Sequence, residues 1–299
     1  MIHVVGALAF DTILYCRKFP ERNMAVPLTG LYSVYGGAAG NTAALLGGMG
    51  DKTALVSLAG DDFPGSDYER HFHALGVDTS HVRIVSGAYT TRAYMAVDAK
   101  NDLQSYFFWG AAQVFQRLLV PRLAIGKHDV IHIATGDPAF NKRLVSAYEG
   151  ATVSFDTGYD TPLYSKKDLE FIFRRVELLS MNEHELAVIL KRTGNKSPSD
   201  LLDYGMRALI VTYGPKGSAV YTRGGVERVG AYSVKRVVDP TGAGDAYRAG
   251  FLAGYVRRMP LKQCAKAGAA AASFVIEGVG AQCAAPSWED VMRRAKRVA

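Results

Sequence analysis

The feature that most constrains the fold is the alternation of short apolar runs with helix-like segments along the chain. The runs are rich in β-branched residues, and each is too short to form a helix of ordinary length. Strands and helices that alternate in this way are typical of a mostly parallel sheet with helices on both faces. The pattern predicts strands at residues 2–8, 53–58, 130–134, 153–155, 176–180 and 208–212. It predicts helices at residues 41–49, 67–75, 182–191, 245–257 and 261–274, and a last helix after Ser287, where Asp290 has capping-box spacing.

Two regions interrupt this alternation, residues 11–35 and 88–110. Both lack helical periodicity and are rich in Tyr, Phe, Val and Thr, and residues 90–98 followed by the turn-like residues 99–102 predict a β-hairpin. Strands inserted near the start of an α/β domain commonly form a lid, which excludes water from the site beneath it. We therefore predict a single domain over residues 1–299 with a small β-sheet lid.

Composition excludes several classes of protein. The 299 residues are 48% hydrophobic, enough for a buried core, and no run reaches the ~18 apolar residues that span a bilayer. The net charge is +7, but Lys and Arg are scattered and the densest cluster, residues 293–297, is typical of a solvated helix face. No secretory signal pattern follows Met1. These features predict a cytoplasmic location and no nucleic-acid or membrane partner.

The most informative segment reads Asp-Pro-Thr-Gly-Ala-Gly-Asp, from Asp239 to Asp245, and leads directly into a predicted helix. The first amides of a helix, with the positive end of its dipole, form an anion site, for which phosphate is the obvious occupant. Asp245 at the helix start is favoured as a carboxylate and can accept a proton from an attacking hydroxyl. For a bare Gly-Ala-Gly-Asp, an ordinary turn with a helix cap is the alternative.

This segment closely resembles the C-terminal signature of the PfkB carbohydrate kinases, also called the ribokinase-like family, although Pro240 stands where the pattern has Thr. The resemblance implies a ribokinase-like three-layer α/β/α sandwich with a mostly parallel sheet. It also implies Asp245 as catalytic base, an anion hole formed by the amides of Gly242, Ala243 and Gly244, and a monovalent cation beside Asp239 and Thr241.

Two features near the start of the chain extend the resemblance. Residues 36–43 look like the glycine-rich N-terminal signature, which implies that Gly36, Gly37 and Asn41 contact the hydroxyls of a sugar. Asp11 matches the family acid that binds a hydroxyl pair, and a carboxylate can accept two hydrogen bonds from a vicinal diol. The alternatives are a turn-forming Asp and a tight strand-to-helix connection.

Two motifs lie in the middle of the chain. Asn182 and Glu185 resemble the Asn-x-x-Glu motif that holds Mg²⁺ through water, which implies ATP binding for Asn182; a capping box is the alternative. Thr212, Gly214 and Gly217 resemble a turn that contacts the nucleotide phosphates, with Thr241 as a further ATP-binding residue by resemblance, and a plain hairpin turn is the alternative.

The lid segments 90–97 and 104–111 look most like adenosine-kinase-like and broad-specificity nucleoside kinases. Trp109 and nearby aromatic residues could stack on a nucleobase or simply pack the lid, and Arg92 could reach phosphate or substrate or lie on the surface. We therefore predict a nucleoside kinase that transfers the ATP γ-phosphate to a 5′-hydroxyl with Mg²⁺, while a role for K⁺ stays open.

The alternatives are a sugar kinase of the same family, acting on ribose, fructose or 2-keto-3-deoxygluconate, and a non-catalytic nucleotide-binding regulator, which would not need Asp245. The partner is a small molecule, and the chain is either a monomer or a homodimer through the lid. The chain contains no Walker A motif, which disfavours a P-loop NTPase, and the Gly242–Gly244 segment lacks the third glycine of a dinucleotide fingerprint.

Overall fold

The structure, a computed structural model, describes residues 1–100 and 102–299. The strands are β1 (Ile2–Gly6), β2 (Ala9–Cys16), β3 (Leu28–Gly36), β4 (Thr53–Ala59), β5 (Val77–Ile84), β6 (Thr91–Val97), β7 (Leu103–Phe108), β8 (Val130–Ala134), β9 (Thr152–Asp156), β10 (Leu178–Asn182), β11 (Ala208–Thr212), β12 (Ser218–Thr222) and β13 (Gly225–Val229). The helices are α1 (Ala38–Gly48), α2 (Asp67–Ala74), α3 (Pro138–Ala147), α4 (Lys166–Phe173), α5 (Glu183–Thr193), α6 (Ala243–Val256), α7 (Leu261–Val275) and α8 (Trp288–Ala295). Short 3₁₀ helices cover Gly110–Arg117, Gly158–Leu163, Pro198–Tyr204 and Gly214–Lys216.

The main sheet has nine strands in the order β13-β12-β11-β10-β9-β8-β1-β4-β5. Pairing is parallel from β5 across to β11, and the hairpin of β12 and β13 adds two antiparallel strands at one edge. The central strands β1 and β8 are buried along their full length, which explains why they are continuous apolar runs.

Two hydrophobic clusters cover the two faces of this sheet. One contains α1, α6, α7 and α8, and small residues such as Ala249 and Ala267 let α6 and α7 approach closely. The other contains α3, α4 and α5, with Phe140, Leu169 and Ile189 fully buried. The predicted three-layer α/β/α sandwich is therefore confirmed. Among the described residues, no helix has the length and apolar character needed to span a membrane.

A second, smaller sheet contains both regions that interrupt the α/β pattern, in the order β3-β2-β6-β7. The hairpin predicted at residues 90–98 forms between β6 and β7, with Arg92 opposite Phe108 and Val97 opposite Leu103. The predicted turn at 99–102 includes residue 101, which lies outside the described residues. β2 pairs antiparallel with β3 and parallel with β6, so the two sequence regions meet at the centre of this sheet.

The predicted elements and the observed ones differ mainly at their ends. The strands at 130–134 and 208–212 coincide with β8 and β11. The helix predicted from residue 41 begins at Ala38, and the helix predicted from residue 182 begins at Glu183, because Asn182 ends β10 and caps α5. The last helix begins after Ser287, whose hydroxyl accepts a hydrogen bond from the Asp290 amide as predicted.

Candidate active site

The candidate site lies at the carboxyl edge of the main sheet, where β8 to β11 end side by side. Ala134 pairs with Asp156, and Asn182 pairs with Thr212, so the last residues of neighbouring strands lie at one level. In open parallel sheets, ligands bind at this edge, because the loops that follow the strands converge there with helix N-termini.

The glycine-rich loop leads directly into α6, as the sequence predicts. Gly242 is the N-cap of α6 with φ +76°, and a Cβ at this position would lie 2.2 Å from the Cβ of Ala281, so only glycine fits. The Ala246 amide donates to the Gly242 carbonyl at 2.9 Å, while the Ala243 amide donates to Pro240 at 3.2 Å. The first turn of a helix leaves N–H groups without intrahelical acceptors, and in α6 this turn contains Asp245.

Asp245 is held by a residue from the other end of the chain. The side-chain amide of Asn41, on α1, donates to its carboxylate at 2.8 Å. The side-chain amide of Gln282 donates in turn to the side-chain oxygen of Asn41 at 2.9 Å and to the Tyr68 hydroxyl at 2.8 Å. Tyr68 donates to the Gly36 carbonyl at 2.8 Å, so one hydrogen-bonded network joins both predicted glycine-rich signatures.

Asp11 is a buried carboxylate with unmet hydrogen-bonding capacity. It lies on β2, is 8% exposed, and its Oδ1 atom has no hydrogen-bond partner. Burial, reinforced by the charge of Asp245, raises the pKa of Asp11 to about 7. A Cβ on Gly36 would lie 1.9 Å from Oδ2 of Asp11, so glycine at 36 makes room for this side chain, and Gly37 follows as the N-cap of α1.

Arg248 is the principal site residue that the motif analysis missed. It lies one turn after Asp245 on α6, and its buried guanidinium forms ion pairs with Asp156 and, at 3.6 Å, with Asp245. Burial raises the pKa of Asp245, and the guanidinium of Arg248 and the hydrogen bond from Asn41 oppose that rise. The spacing of three residues between Asp245 and Arg248 is the sequence signal that could have found this pair.

Asn182 and Glu185 form a complete capping box at the carboxyl end of β10. The side-chain oxygen of Asn182 accepts from the backbone amides of His184 and Glu185. The Glu185 carboxylate accepts from the backbone and side-chain nitrogens of Asn182 at 2.8 and 2.9 Å. The capping alternative is therefore observed. The capping box leaves lone pairs on both Glu185 oxygens, so these oxygens still fit a water-mediated contact with Mg²⁺.

Two further predicted segments are ordered loops at the same edge. Thr212 ends β11, and the turn through Gly214 and Gly217 closes with a hydrogen bond of 2.8 Å from the Tyr213 amide to the Gly217 carbonyl. It connects β11 to β12 and is thus also the hairpin turn named as the alternative.

Asp239 is buried and joins two loops. Its carboxylate accepts from the amides of Thr241 and Gly280, both at 2.9 Å. The loop that begins the Asp-Pro-Thr segment is therefore tied to the turn after α7, and oxygen atoms of a buried carboxylate are available there to a hard cation. Within residues 1–100 and 102–299, no cluster of three or more His, Cys, Asp or Glu side chains has metal-binding geometry.

The small sheet contributes aromatic side chains and one ion pair. Trp109 and Phe107 are about half exposed and stack with ring centroids 6.2 Å apart, and Phe107 lies 6.4 Å from the ring of Tyr159, which is 90% exposed. The guanidinium of Arg92 forms an ion pair with Asp62 at 2.6 Å. Its charge is therefore already compensated within the chain.

A cavity of about 400 Å³ opens at the opposite, amino edge of the sheet, beside the first residues of β8 and β9. Its lining includes Lys127, Glu177, Arg207 and Tyr255. It contains none of the residues predicted for phosphate or substrate, so the chemistry described above belongs to the carboxyl edge.

This fold and this arrangement of residues define a class of kinase. Residues 1–288 match the model of the pfkB family carbohydrate kinases, and the chain belongs to this family. It is therefore a phosphotransferase that uses an alcohol group as acceptor.

Two relatives and one solved structure are similar to this chain over nearly its whole length. The chain is 40% identical over 299 residues to a nucleoside kinase of Methanocaldococcus jannaschii, covering 99% of this chain and 97% of the relative. It is 36% identical over 292 residues to a nucleoside kinase of Methanothermobacter thermautotrophicus, covering 97% and 94%. The crystal structure of the Methanocaldococcus jannaschii nucleoside kinase, described as an archaeal member of the ribokinase family, superimposes with a TM-score of 0.94 at 39% identity, covering 99% of this chain and 98% of that one.

Proposed function

We propose that this chain is an ATP-dependent nucleoside kinase that phosphorylates the 5′-hydroxyl of a nucleoside. The observation that carries the proposal is the pair of carboxylates at one site: Asp245, fixed by Asn41 at the start of α6, and the buried Asp11 with an unpartnered oxygen. One carboxylate suits a catalytic base, and the other suits a hydroxyl-bearing ligand. The relatives named as nucleoside kinases support the same substrate class.

Asp11 supplies the contact that orients the sugar. An unpartnered buried acceptor is costly, and hydroxyl donors from a ligand remove that cost. If the 2′- and 3′-hydroxyls of a ribose donate to Asp11, the 5′-hydroxyl is the one left to face Asp245. Gly36, Gly37 and Asn41 complete the sugar contacts in this proposal.

Asp245 acts as the general base. The 5′-oxygen attacks the γ-phosphorus of ATP, its proton passes to the Asp245 carboxylate, and the bond from the γ-phosphorus to the β,γ-bridging oxygen breaks to release ADP. The amides of Gly242, Ala243 and Gly244 at the positive end of α6 stabilise the transferring charge, since such donors are most effective at a helix N-terminus. The Ala243 amide leaves its bond to Pro240 to do so.

ATP, the phosphoryl donor, binds along the carboxyl ends of the neighbouring strands β10 and β11. Asn182, Thr212, Gly214, Gly217 and Thr241 contact ATP in this proposal. Glu185 would hold Mg²⁺ through water, and the ion would neutralise charge on the phosphates when bound. Asp239 would hold a monovalent cation such as K⁺ behind the anion hole.

The aromatic group formed by Phe107, Trp109 and Tyr159 favours a nucleoside over a free sugar. Exposed aromatic faces in contact with one another offer a stacking surface for a nucleobase, whereas a free sugar has no aromatic ring for π-stacking. Arg92 pairs with Phe108, so its side chain lies on the face of the small sheet opposite Phe107. We therefore leave Arg92 out of the proposed substrate contacts and assign it the ion pair with Asp62. We also propose that the small sheet is a lid on a single kinase domain.

The experiment is an acceptor panel with ATP, Mg²⁺ and K⁺ that follows both ADP and phosphorylated product for adenosine, inosine, guanosine, cytidine, ribose, fructose and 2-keto-3-deoxygluconate. Turnover of nucleosides alone supports the proposal. Turnover of a free sugar alone would replace the nucleoside by a sugar substrate, and ATP binding without turnover of any acceptor would favour the regulator alternative.

A further inference from the structure

Arg248 occupies an unusual position for a charged side chain. It is 11% exposed, lies on the face of α6 that packs against the sheet, and forms ion pairs with the side chains of Asp156 and Asp245. Asp156, at the end of β9, is itself only 2% exposed. A single buried guanidinium is thus shared between two carboxylates that come from different elements.

Packing alone does not account for this arrangement. Burying an ion pair costs desolvation energy that an apolar side chain of similar volume avoids, so such pairs are poor evidence of a purely stabilising role. The neighbouring residues Leu252 and Phe251 on α6 are apolar and buried, so the helix already packs through hydrophobic contacts.

The guanidinium also lies against the first turn of α6. A Cβ on Gly244 would lie 2.6 Å from Nη1 of Arg248. The cation is therefore adjacent to both the carboxylate of Asp245 and the loop proposed to bind phosphate, and Asp156 anchors it from the opposite side.

We infer that Arg248 is a positioning residue, whose guanidinium, anchored on Asp156, holds the Asp245 carboxylate in one orientation and compensates its negative charge. This inference rests on the proposed role of Asp245 as base. Two residues then hold the Asp245 carboxylate: Asn41 donates a hydrogen bond to Oδ2, and Arg248 forms an ion pair with Oδ1.

The charges around Asp245 make this compensation necessary. Burial raises the pKa of Asp245, and Glu185 adds to the rise, while Arg248 is the cation that opposes both. Six titratable or charged groups interact electrostatically with Asp245: Asp11, Tyr68, Asp156, Tyr159, Glu185 and Arg248. Only one of these six is a cation at neutral pH.

The test uses two substitutions with opposite expected effects on the pH dependence of kcat. Arg248→Met removes the cation, so Asp245 ionises only at higher pH, the acid limb of the profile moves to higher pH, and kcat at neutral pH falls by about 100-fold, as for a misplaced catalytic group. Asp156→Asn removes the other carboxylate that shares the Arg248 guanidinium, which lowers the pKa of Asp245. The acid limb of this variant therefore moves to lower pH. Arg248→Lys keeps the charge and recovers part of kcat.

Arg257→Met is the matched control. Arg257 lies at the end of the same helix and forms an ion pair with Asp51 at 2.7 Å, far along α6 from Asp245. We expect this control to lower stability while its acid limb stays at the wild-type pH. An unchanged acid limb in Arg248→Met, or a shift in the same direction for Arg248→Met and Asp156→Asn, would overturn the inference.

Two further readouts separate this inference from the proposed function. Guanidinium ion added to Arg248→Ala should restore part of kcat, whereas added to Asp245→Asn it should restore none. If Arg248→Met is too unstable to assay, the Asp156→Asn profile and the guanidinium rescue still decide. Full activity of Asp245→Asn would refute the proposed base, whereas a normal Asp245→Asn defect with no guanidinium rescue and an unshifted Asp156→Asn profile would refute only the role of Arg248.

Discussion

Asn41 donates a hydrogen bond of 2.8 Å to the carboxylate of Asp245, although 204 positions separate the two residues in the chain. The contact joins α1, which follows the N-terminal glycine-rich segment, to the first turn of α6. The two segments that resemble family signatures therefore build one site, and the hydrogen bond fixes the orientation of the proposed base.

Replacement of Asn41 by Ala should lower kcat by about 10–100-fold, because a hydrogen bond to a charged group contributes about 1.5–3 kcal/mol. The acid limb of the kcat profile should move to higher pH, since Asn41 opposes the rise in the pKa of Asp245. Steady-state kinetics between about pH 5 and about pH 9 would measure both the fall in kcat and the shift of the acid limb. Gln282→Leu removes the residue that orients Asn41 and should give a smaller loss; an equal or larger loss would contradict the direct role of Asn41.

Asp11 gives a prediction about stability and pH. Its folded-state pKa of about 7 lies above the ordinary value of 3.8, so the folded protein holds this proton more tightly than the unfolded chain. Its contribution to the free energy of unfolding is fully present below pH 3.8 and is lost as the pH rises through about 7. Asp11→Asn should therefore raise the free energy of unfolding at pH 8 by about 2–4 kcal/mol, since one pKa unit corresponds to about 1.4 kcal/mol.

Urea denaturation at pH 5 and pH 8 would measure this gain, with Asp203→Asn as an exposed control that should change little. The same Asp11→Asn variant should raise the KM for nucleosides, because an amide nitrogen replaces one of the two carboxylate oxygens proposed to accept hydrogen bonds from the sugar hydroxyls. A variant that is less stable than the wild type at pH 8 would contradict the account of Asp11.

Gly242→Ala should abolish most activity and destabilise the fold. The added Cβ would clash with Ala281, and the left-handed backbone at this position disfavours any side chain. Gly150→Ala is the matched control, since Gly150 also has a positive φ, of +86°, but a Cβ there meets no atom within 4 Å. Thermal unfolding and kcat of both variants would separate the cost of backbone strain from the loss of the loop proposed to bind phosphate. Equal effects in the two variants would argue against a special role for Gly242.

Two adjacent residues of β7 test the aromatic group of Phe107, Trp109 and Tyr159. Phe107 stacks with Trp109, whereas Tyr106 points to the opposite face of β7, because successive side chains of a strand alternate. Phe107→Ala should raise the KM for inosine by about 10-fold, within the range of base stacking on aromatic rings. Tyr106→Ala should leave it unchanged. A rise in KM for Tyr106→Ala and none for Phe107→Ala would assign the nucleobase to the other face.

The elements that could be predicted from the sequence are those whose own composition carries the signal. β8 and β11 are continuous apolar runs bounded by polar residues, and both ends of each were predicted correctly. β5 was missed because it is an edge strand, where Asp78, Ser80 and Arg83 interrupt the apolar pattern. The helices α3 and α4 were missed although Asp137 and Ser165 cap them.

At the candidate site, too, features that depend on adjacent residues could be predicted, and contacts between distant residues could not. The Gly242–Asp245 turn could be predicted because loop and helix start are adjacent in the chain, and glycine and Asp are the residues that such a turn requires. The contact of Gln282 with Asn41 spans 241 positions, and Arg248 meets Asp156 only because α6 packs beside β9. Nothing in the local pattern of either residue signals these contacts, so tertiary structure was needed to find them.

Asp245→Asn tests the central claim most directly. The substitution preserves shape and the contact with Asn41 but removes the proton acceptor, so kcat for nucleoside phosphorylation should fall by at least about 100-fold, the lower range for general base catalysis. The KM for ATP should change little, and Asp290→Asn, a matched change in the first turn of α8, should retain wild-type kcat. A kcat for Asp245→Asn close to that of the wild type would show that Asp245 is not the base.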